Sequence, residues 1–320
     1  MTILISGGCG FIGSTFLLGH IEAFPSDRVI CFDKMTYAAI KNIPNIASSM
    51  SKNFRFVKGD ICDRELVYRV FEEENPDIVV NFAAETHVDR SITDPAPFVQ
   101  SNVVGVGVLL DACVKYGTRR FHQISTDEVY GEYTDVSDKG FDEKAPLKPS
   151  SPYSATKAAA DMLVLSYART YRLFVTISRS ANTYGPRQNL EKFIPKILKN
   201  LLTGKKIPLM GKGLNRRDWL YVTDHCKAVE AILAHGVSGE IYNISGEREA
   251  FNIDIVRMLL ERLGKNENEI EFVPERAGHD DRYLVDSRKL EKLGWKHEVS
   301  LETGIDNTVK WYLENYSTLI

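Results

Sequence analysis

Apolar residues in the first half of the chain come in short unbroken runs rather than alternating with polar ones. TILIS (2–6), RVICF (28–32), FRFV (54–57), DIVVNFA (77–83), RFHQIS (120–125) and LFVTIS (173–178) are such runs, rich in β-branched and aromatic residues. A strand that is apolar on both faces is buried on both, as in a parallel sheet covered by helices on either side. Helical periodicity fills the intervals at 12–23, 63–74, 96–117 and 152–172. Strand and helix in alternation over this length predict an α/β fold built on a doubly wound parallel sheet.

After about residue 180 the pattern loosens. NTYGPRQ (182–188) reads as a loop, a helix is expected at 192–203, and the short segment IPLMG follows. DWLYV (218–222) and IYNIS (241–245) read as strands flanking a helix at 224–235, and helices are expected near 252–264 and 301–316. With no repeat, low-complexity tract or flexible linker, the second half is expected to be a smaller α/β lobe packed on the first. The division expected is 1–180 and 181–320, with the strands near 218–222 and 240–244 able to return to the first domain.

The first strand runs directly into GGCGFIG, where Gly7, Gly10 and Gly13 have the G-x-x-G-x-x-G spacing. Between a strand and a helix, one such glycine makes the tight turn, one lets backbone approach a pyrophosphate, and one lets the helix pack on the sheet. The helix N-terminus then offers N–H groups and a positive dipole end to the phosphates. This predicts a Rossmann-like dinucleotide site. Asp33 lies 20 residues past Gly13 at the end of RVICF. An acid there accepts from ribose hydroxyls and repels a 2′-phosphate, so NAD is expected rather than NADP. Asp60, at the end of the third strand, is a second candidate on the adenine side.

Tyr153 and Lys157 stand four apart in YSATK, on one face of a helix. A nearby ammonium is expected to lower the phenol pKa and make Tyr153 a usable base, while Lys157 can also bond the nicotinamide ribose. ISTDEVYG (124–131) places Asp127 and Glu128 side by side at the end of a buried strand. Consecutive strand residues point to opposite faces, so both acids can serve one substrate only if the chain already turns at 127–128. A short helix there is expected.

Composition narrows the classes without changing this picture. The chain is 43% hydrophobic and 26% charged, with net charge −3 and pI about 6.2; the basic residues are scattered among acids, so no nucleic acid is expected. No run of about 18 apolar residues is present, so no membrane span is expected, and TILISGG is too short and lacks the basic leader of a signal peptide. Cys9, Cys31, Cys62, Cys113 and Cys226 show no metal-like spacing, and neither do the seven histidines. No metal and a reducing, cytoplasmic compartment are expected.

GGCGFIG and YSATK resemble the extended short-chain dehydrogenase/reductases. DKMTY (33–37), FAAETHVDRSI (82–92), ISTDEVYG, GLNRRDWLYVTDH (213–225) and RAGHDDRY (276–283) are similar to the nucleotide-sugar 4,6-dehydratases of the dTDP-glucose 4,6-dehydratase type. The resemblance implies a nucleoside-diphosphate glucose substrate, either dTDP-glucose or UDP-glucose. NAD would oxidise C4, water would leave across C5 and C6, and the hydride would return to C6. By resemblance Thr126 and Tyr153 act at C4, Glu128 is the base at C5, Asp127 is the acid at C6, and Lys157 completes the set. Phe11, Ile12, Lys34, Ile61 and Ala83 join the glycines, Asp33 and Asp60 around the cofactor. His87, Asn182, Glu191, Lys192, Arg217, Asn252, Arg282 and Tyr283 are implied on the substrate side. The apolar face Phe98, Val99, Val103, Val106, Leu110 and Val114 reads as core and subunit packing rather than a ligand box, and the resemblance implies a homodimer through helices 96–117 and 152–172.

Related sugar-nucleotide decarboxylases tend to carry serine where Asp127 stands, and 4-epimerases usually have no acid pair there. Asp127 therefore argues for water loss over those reactions, and the full set of five argues against a silent NAD-binding relative. Ala277 and Asp281 stand where the family often has proline and arginine, and Thr183 where it has asparagine. These departures bear on the choice of nucleotide, and Asp281 beside a diphosphate would repel it unless it points away.

Overall fold

The computed structural model describes residues 1–135, 138–246, 248–275 and 280–319. The strands, in chain order, are β1 (Thr2–Ser6), β2 (Arg28–Asp33), β3 (Phe54–Lys58), β4 (Ile78–Asn81), β5 (Arg120–Thr126), β6 (Val175–Ser180), β7 (Asn182–Tyr184), β8 (Ile207–Met210), β9 (Arg216–Tyr221), β10 (Glu240–Ile244), β11 (Arg248–Phe251) and β12 (Ile270–Val273). Seven of them form one parallel sheet in the order β10-β6-β5-β4-β1-β2-β3. This is the Rossmann-like, doubly wound architecture expected from the unbroken apolar runs.

The reason for those runs is visible in the packing. Leu4, Ile30, Val79 and Phe121 enter one core with Val106 and Leu110 of helix Ala96–Tyr116 and Val164 of helix Pro152–Tyr171. Their strand neighbours Ile3, Ile5, Val29, Cys31 and Val80 enter a second core on the other face. There they meet Phe16 and Leu17 of helix Phe11–Ala23 and Val229 of helix Val222–His235.

β10 joins the main sheet beside β6, so the 240–244 segment does return to the first half. The 218–222 segment does not. It forms β9, between β7 and β11 in a separate three-stranded sheet, over a core that includes Tyr184, Leu198, Trp219, Leu259 and Ile305. β7 lies in the stretch read as a loop; three residues are too few to show a strand period. LFVTIS was placed two residues early, because helix Pro152–Tyr171 ends on the left-handed residue Arg172 and the strand begins only at Val175.

Helix Ala96–Tyr116 is long and apolar enough to cross a bilayer by length and composition, with a mean hydropathy of 1.5, but half of it is buried in the protein. Its expected apolar face divides. Phe98, Val106 and Leu110 are core, whereas Val99 and Val114 are exposed, as is Val104.

Candidate active site

β1 and β4 are neighbours, yet the chain leaves them toward opposite edges of the sheet, and the crevice at their carboxyl ends is where such sheets accept ligands. Gly7 closes the turn after β1 with φ +71, and a Cβ there would stand 2.6 Å from the Ala83 amide nitrogen. A Cβ on Gly13 would lie 2.2 Å from the Gly7 carbonyl oxygen. The loop and the helix can approach only because neither residue has a side chain. Helix Phe11–Ala23 begins on Gly10 with no side-chain cap, so its first-turn N–H groups face the crevice uncovered.

Asp33 braces this loop. Its Oδ2 accepts from the Cys9 N–H at 2.9 Å and its Oδ1 from the Met35 N–H at 2.7 Å. Burial raises its pKa above the usual carboxylate range, and the two amide bonds oppose that. Lys34 pairs with Asp60 at 2.6 Å. Gly7, Gly10, Asp33, Lys34, Asp60, Ile61 and Ala83 line one end of a continuous groove. Phe11, Ile12, Gly13, Thr126, Asp127, Glu128, Tyr153 and Lys157 line its other end, with Gly7 and Gly10 common to both. A glycine cradle at an open helix N-terminus, with an acid at the end of β2, fits an extended dinucleotide with its adenosine toward Asp33 and its nicotinamide toward Tyr153.

The acid pair sits where β5 ends. The chain turns at once into a 3₁₀ turn, Asp127–Tyr130, so the two side chains are not thrown to opposite faces and both line the same cavity. Thr126 fixes the turn: its Oγ1 accepts from the Glu128 N–H and donates to Asp127 Oδ1, both at 3.3 Å. Gly131, at φ +79, lets the chain leave the turn against the Lys148 carbonyl. Asp127 is buried, and burial followed by the Glu128 charge raises its pKa well above the usual carboxylate range. Glu128 is half-buried and also faces the adjoining pocket. One carboxyl is therefore held as an acid beside a second carboxyl in the same cavity, the arrangement general acid–base chemistry requires.

Helix Pro152–Tyr171 carries the other pair. It starts with a reciprocal Ser151–Ser154 capping box and a proline in its first turn. The expected effect of Lys157 on Tyr153 is not what the structure has. Burial, then the charges of Glu128 and Asp127, push the phenol pKa up, and Lys157 Nζ instead donates to the Ile124 carbonyl at 2.6 Å. Burial lowers Lys157 to about 8.

His87, Asn182, Glu191, Lys192, Arg217, Asn252 and Tyr283 line the adjoining pocket, which shares Glu128, Asn182 and Lys192 with the first. Asp127 Oδ2, Asn182 Oδ1 and His87 Nδ1 are buried without hydrogen-bond partners within the protein. Buried polar atoms are otherwise nearly always satisfied, so these mark where polar ligand groups belong. Burial, then Lys192, lowers the His87 pKa.

Arg282 is not brought to this pocket. Its guanidinium forks the Glu249 carboxylate, with a 2.7 Å bond from Nε, and meets Asp138 at 2.8 Å. Arg217 does reach the pocket, with its guanidinium held by the carbonyls of Arg216, Asp280 and Asp281 at 2.8–3.0 Å and stacked 4.6 Å from the Tyr283 ring centre. Asp281 contributes that carbonyl while its Oδ1 takes the Asn215 amide at 3.3 Å. Positions 276–279, including Ala277, lie outside the described residues. Sequence reasoning missed Trp219 and Gln188, whose Nε1 and Oε1 are likewise buried without partners in the pocket walls. Trp219 was discoverable, since it lies two residues from Arg217 on β9 and so shares its face.

The chain belongs to the GDP-mannose 4,6 dehydratase family, whose description matches residues 4–308. It is 46% identical to the low-salt glycan biosynthesis protein Agl12 of Haloferax volcanii over 314 residues, covering 98% of this chain and 99% of that protein. It is 43% identical to the dTDP-glucose 4,6-dehydratase of Streptomyces niveus over 321 residues, covering 98% and 94%. Among solved structures, DesIV, a dTDP-glucose 4,6-dehydratase from Streptomyces venezuelae crystallised with NAD, superposes with a TM-score of 0.94 at 42% identity, covering 99% and 98%.

Proposed function

We infer that the chain is an NAD-dependent hydro-lyase, a nucleotide-sugar 4,6-dehydratase that converts an NDP-glucose to the 4-keto-6-deoxy sugar nucleotide and water. One observation carries this reading: Asp127 and Glu128 share a cavity with Tyr153, Lys157 and the glycine loop. Epimerisation or decarboxylation on the same scaffold needs no proton donor at Asp127. The dehydratases among its relatives act on dTDP-glucose, which favours that substrate over UDP-glucose.

In this reading residues 1–180 hold the cofactor, while 181–320 hold the nucleotide sugar, apart from β10. The glycine loop and Asp33 would hold NAD in the groove, where it would supply the hydride acceptor for C4 and donor for C6, and its positive ring would offset the Glu128 charge that raises Tyr153. Tyr153, with Thr126, removes the C4 hydroxyl proton. The resulting ketone acidifies the C5 proton, which passes to Glu128. Asp127, kept protonated by burial, gives its proton to the departing C6 hydroxyl, so one water leaves; as hydride reaches C6, Glu128 returns its proton to C5. Asn182, Lys192, Arg217, Asn252 and Tyr283 are the diphosphate-sugar contacts, with His87 and Glu191 at their edge.

The test is incubation with dTDP-glucose and, separately, UDP-glucose without added NAD. The expected result is a product one water lighter with no net NADH, faster with dTDP-glucose. An isomeric product would mean epimerisation, and bound but unchanged substrate would mean a silent relative.

We further propose a homodimer through helices Ala96–Tyr116 and Pro152–Tyr171. Val99, Val104, Val114 and Met162 are large exposed apolar side chains, and Ala155 and Ala159 are exposed beside them, small enough for close helix approach. The five cysteines are free thiols, which suits a reducing cytoplasmic compartment.

A further inference from the structure

Asp161 has no part in the hydride or proton transfers, yet it is wholly buried, and so is the arginine it meets. Arg179 Nε donates to Asp161 Oδ2 at 2.8 Å, with side-chain exposures of 1% and 0%. Burying two charges costs more than their attraction returns unless every lone pair is satisfied, and an apolar pair of equal volume is often more stable. Besides Arg179, the Ser125 side chain favours the Asp161 carboxylate. Because an apolar pair would fill the same space without burying charge, stability alone does not account for the pair.

Its position does. Tyr153, Lys157 and Asp161 recur at every fourth residue of helix Pro152–Tyr171 and form one stripe on it. Arg179 is the register partner of Ser125 on β5. Lys157 Nζ binds the carbonyl of Ile124, the residue before Ser125, and the buried Ser125 side chain itself interacts with the Asp161 carboxylate. The guanidinium carbon of Arg179 lies 4.8 Å from the ring centre of Tyr130, the last residue of the turn that carries the two acids. Tyr130 Oη in turn donates to Asn243 Oδ1 on β10 at 2.8 Å. The ion pair thus joins the helix of the tyrosine and lysine to the turn of the acids.

We propose that Asp161 is a positioning residue for the dehydration: its carboxylate, fixed by Arg179, keeps Lys157 as an ammonium directed at the Ile124 carbonyl, one helical turn from Tyr153. This rests on the dehydratase reading of Tyr153 and Lys157. The charged and titratable groups around Lys157 are Tyr153 and Asp161 on its own helix, Asp127 and Glu128 on the turn after β5, and Arg179 on β6 behind Asp161. Burial pulls Lys157 down to about 8, and Asp161 is the charge that opposes it. Burial likewise pushes Asp161 up, with Arg179 opposing that.

The test is the pH dependence of single-turnover NADH formation from dTDP-glucose by the NAD-loaded enzyme. The variants are Asp161→Asn, the charge-neutral pair Asp161→Asn/Arg179→Gln, and Asp161→Glu. The double variant leaves no unpaired buried charge, so it retains the fold where the single variant loses it. In both Asp161→Asn variants the alkaline limb moves down by about one pH unit, with about fivefold slower oxidation near its wild-type midpoint and little change in KM. Asp161→Glu restores most of the limb. Variant profiles that coincide with an active wild type, measured on folded protein, would overturn the proposal and leave Asp161 structural. A wild type that oxidises no sugar nucleotide at any pH would overturn the dehydratase reading, and this proposal with it.

Discussion

At Asp127 burial and the neighbouring Glu128 charge act in the same direction, and both keep the proton in place. That is the state an acid for the C6 hydroxyl needs, whereas Glu128, less buried and facing two pockets, is suited to take a proton. Asp127→Asn and Glu128→Gln are each expected to slow water loss by about 10²- to 10⁴-fold while NADH still forms in a single turnover. Rapid-quench mass analysis with NADH absorbance checks this, and loss of both signals together would mean that the pair acts earlier, at C4. The rate of water loss should also fall as pH rises through the raised Asp127 pKa, and that limb should vanish in Asp127→Asn. Gly13→Ala tests the cradle: with 2.2 Å to the Gly7 oxygen the loop must shift, and NAD should bind roughly ten- to a hundredfold more weakly by fluorescence titration. That these residues lie together was legible because each group falls within a single element, while the acid and base roles came from the resemblance. Arg282 was misplaced because an arginine's partner is set by which carboxylate folds opposite it, here Glu249 on β11, and no local pattern announces that.

Among the elements, the buried parallel strands were the most legible, since an apolar run covered on both faces leaves no doubt about its environment. β7 and the 3₁₀ turn at 127–130 are shorter than any period that could reveal them, although the turn followed from the chemistry demanded of its two acids. β5 carries a cost of its own inside the sheet. His122 is wholly buried, with Nδ1 2.8 Å from Thr176 Oγ1 and Nε2 3.1 Å from Ser178 Oγ on β6, and His225 is buried against Thr183 Oγ1 at 2.9 Å. Burial lowers both to about 3. Unfolded, each would bind a proton near its ordinary value, so the unfolded chain takes up more protons below roughly pH 6.5 and stability falls with pH there. Each histidine should remove about 2 kcal/mol between roughly pH 7 and pH 5. Denaturant melts across that range check the slope. His122→Gln should flatten it, and an unchanged slope in that variant would mean that carboxylates carry the acid sensitivity instead.

For the whole molecule, the open matter is what covers helix Ala96–Tyr116 on the side the sheet does not. Apolar side chains belong in an interior, yet Val99, Val104 and Val114 face outward, as does Met162 of helix Pro152–Tyr171. Two such helices related by a two-fold axis would form a four-helix interface in which each copy covers the other. The same two helices hold the active site: Pro152–Tyr171 bears Tyr153 and Lys157, and Asn102, in the first turns of the other, fixes the Glu85 backbone through its amide and side-chain oxygen at 2.8–3.0 Å. Dimerisation would therefore stiffen the site from behind as well as bury apolar surface. Val104→Asp with Met162→Lys places charges at that centre, and each is expected to cost about 2 kcal/mol of association or more. Sedimentation velocity should show a wild-type dimer and a monomeric variant, the variant's melting temperature being lower and, unlike the wild type's, independent of concentration. A wild type that sediments as a monomer at every concentration would reject the interface, and a dimer unaffected by both charges would place it elsewhere on the surface.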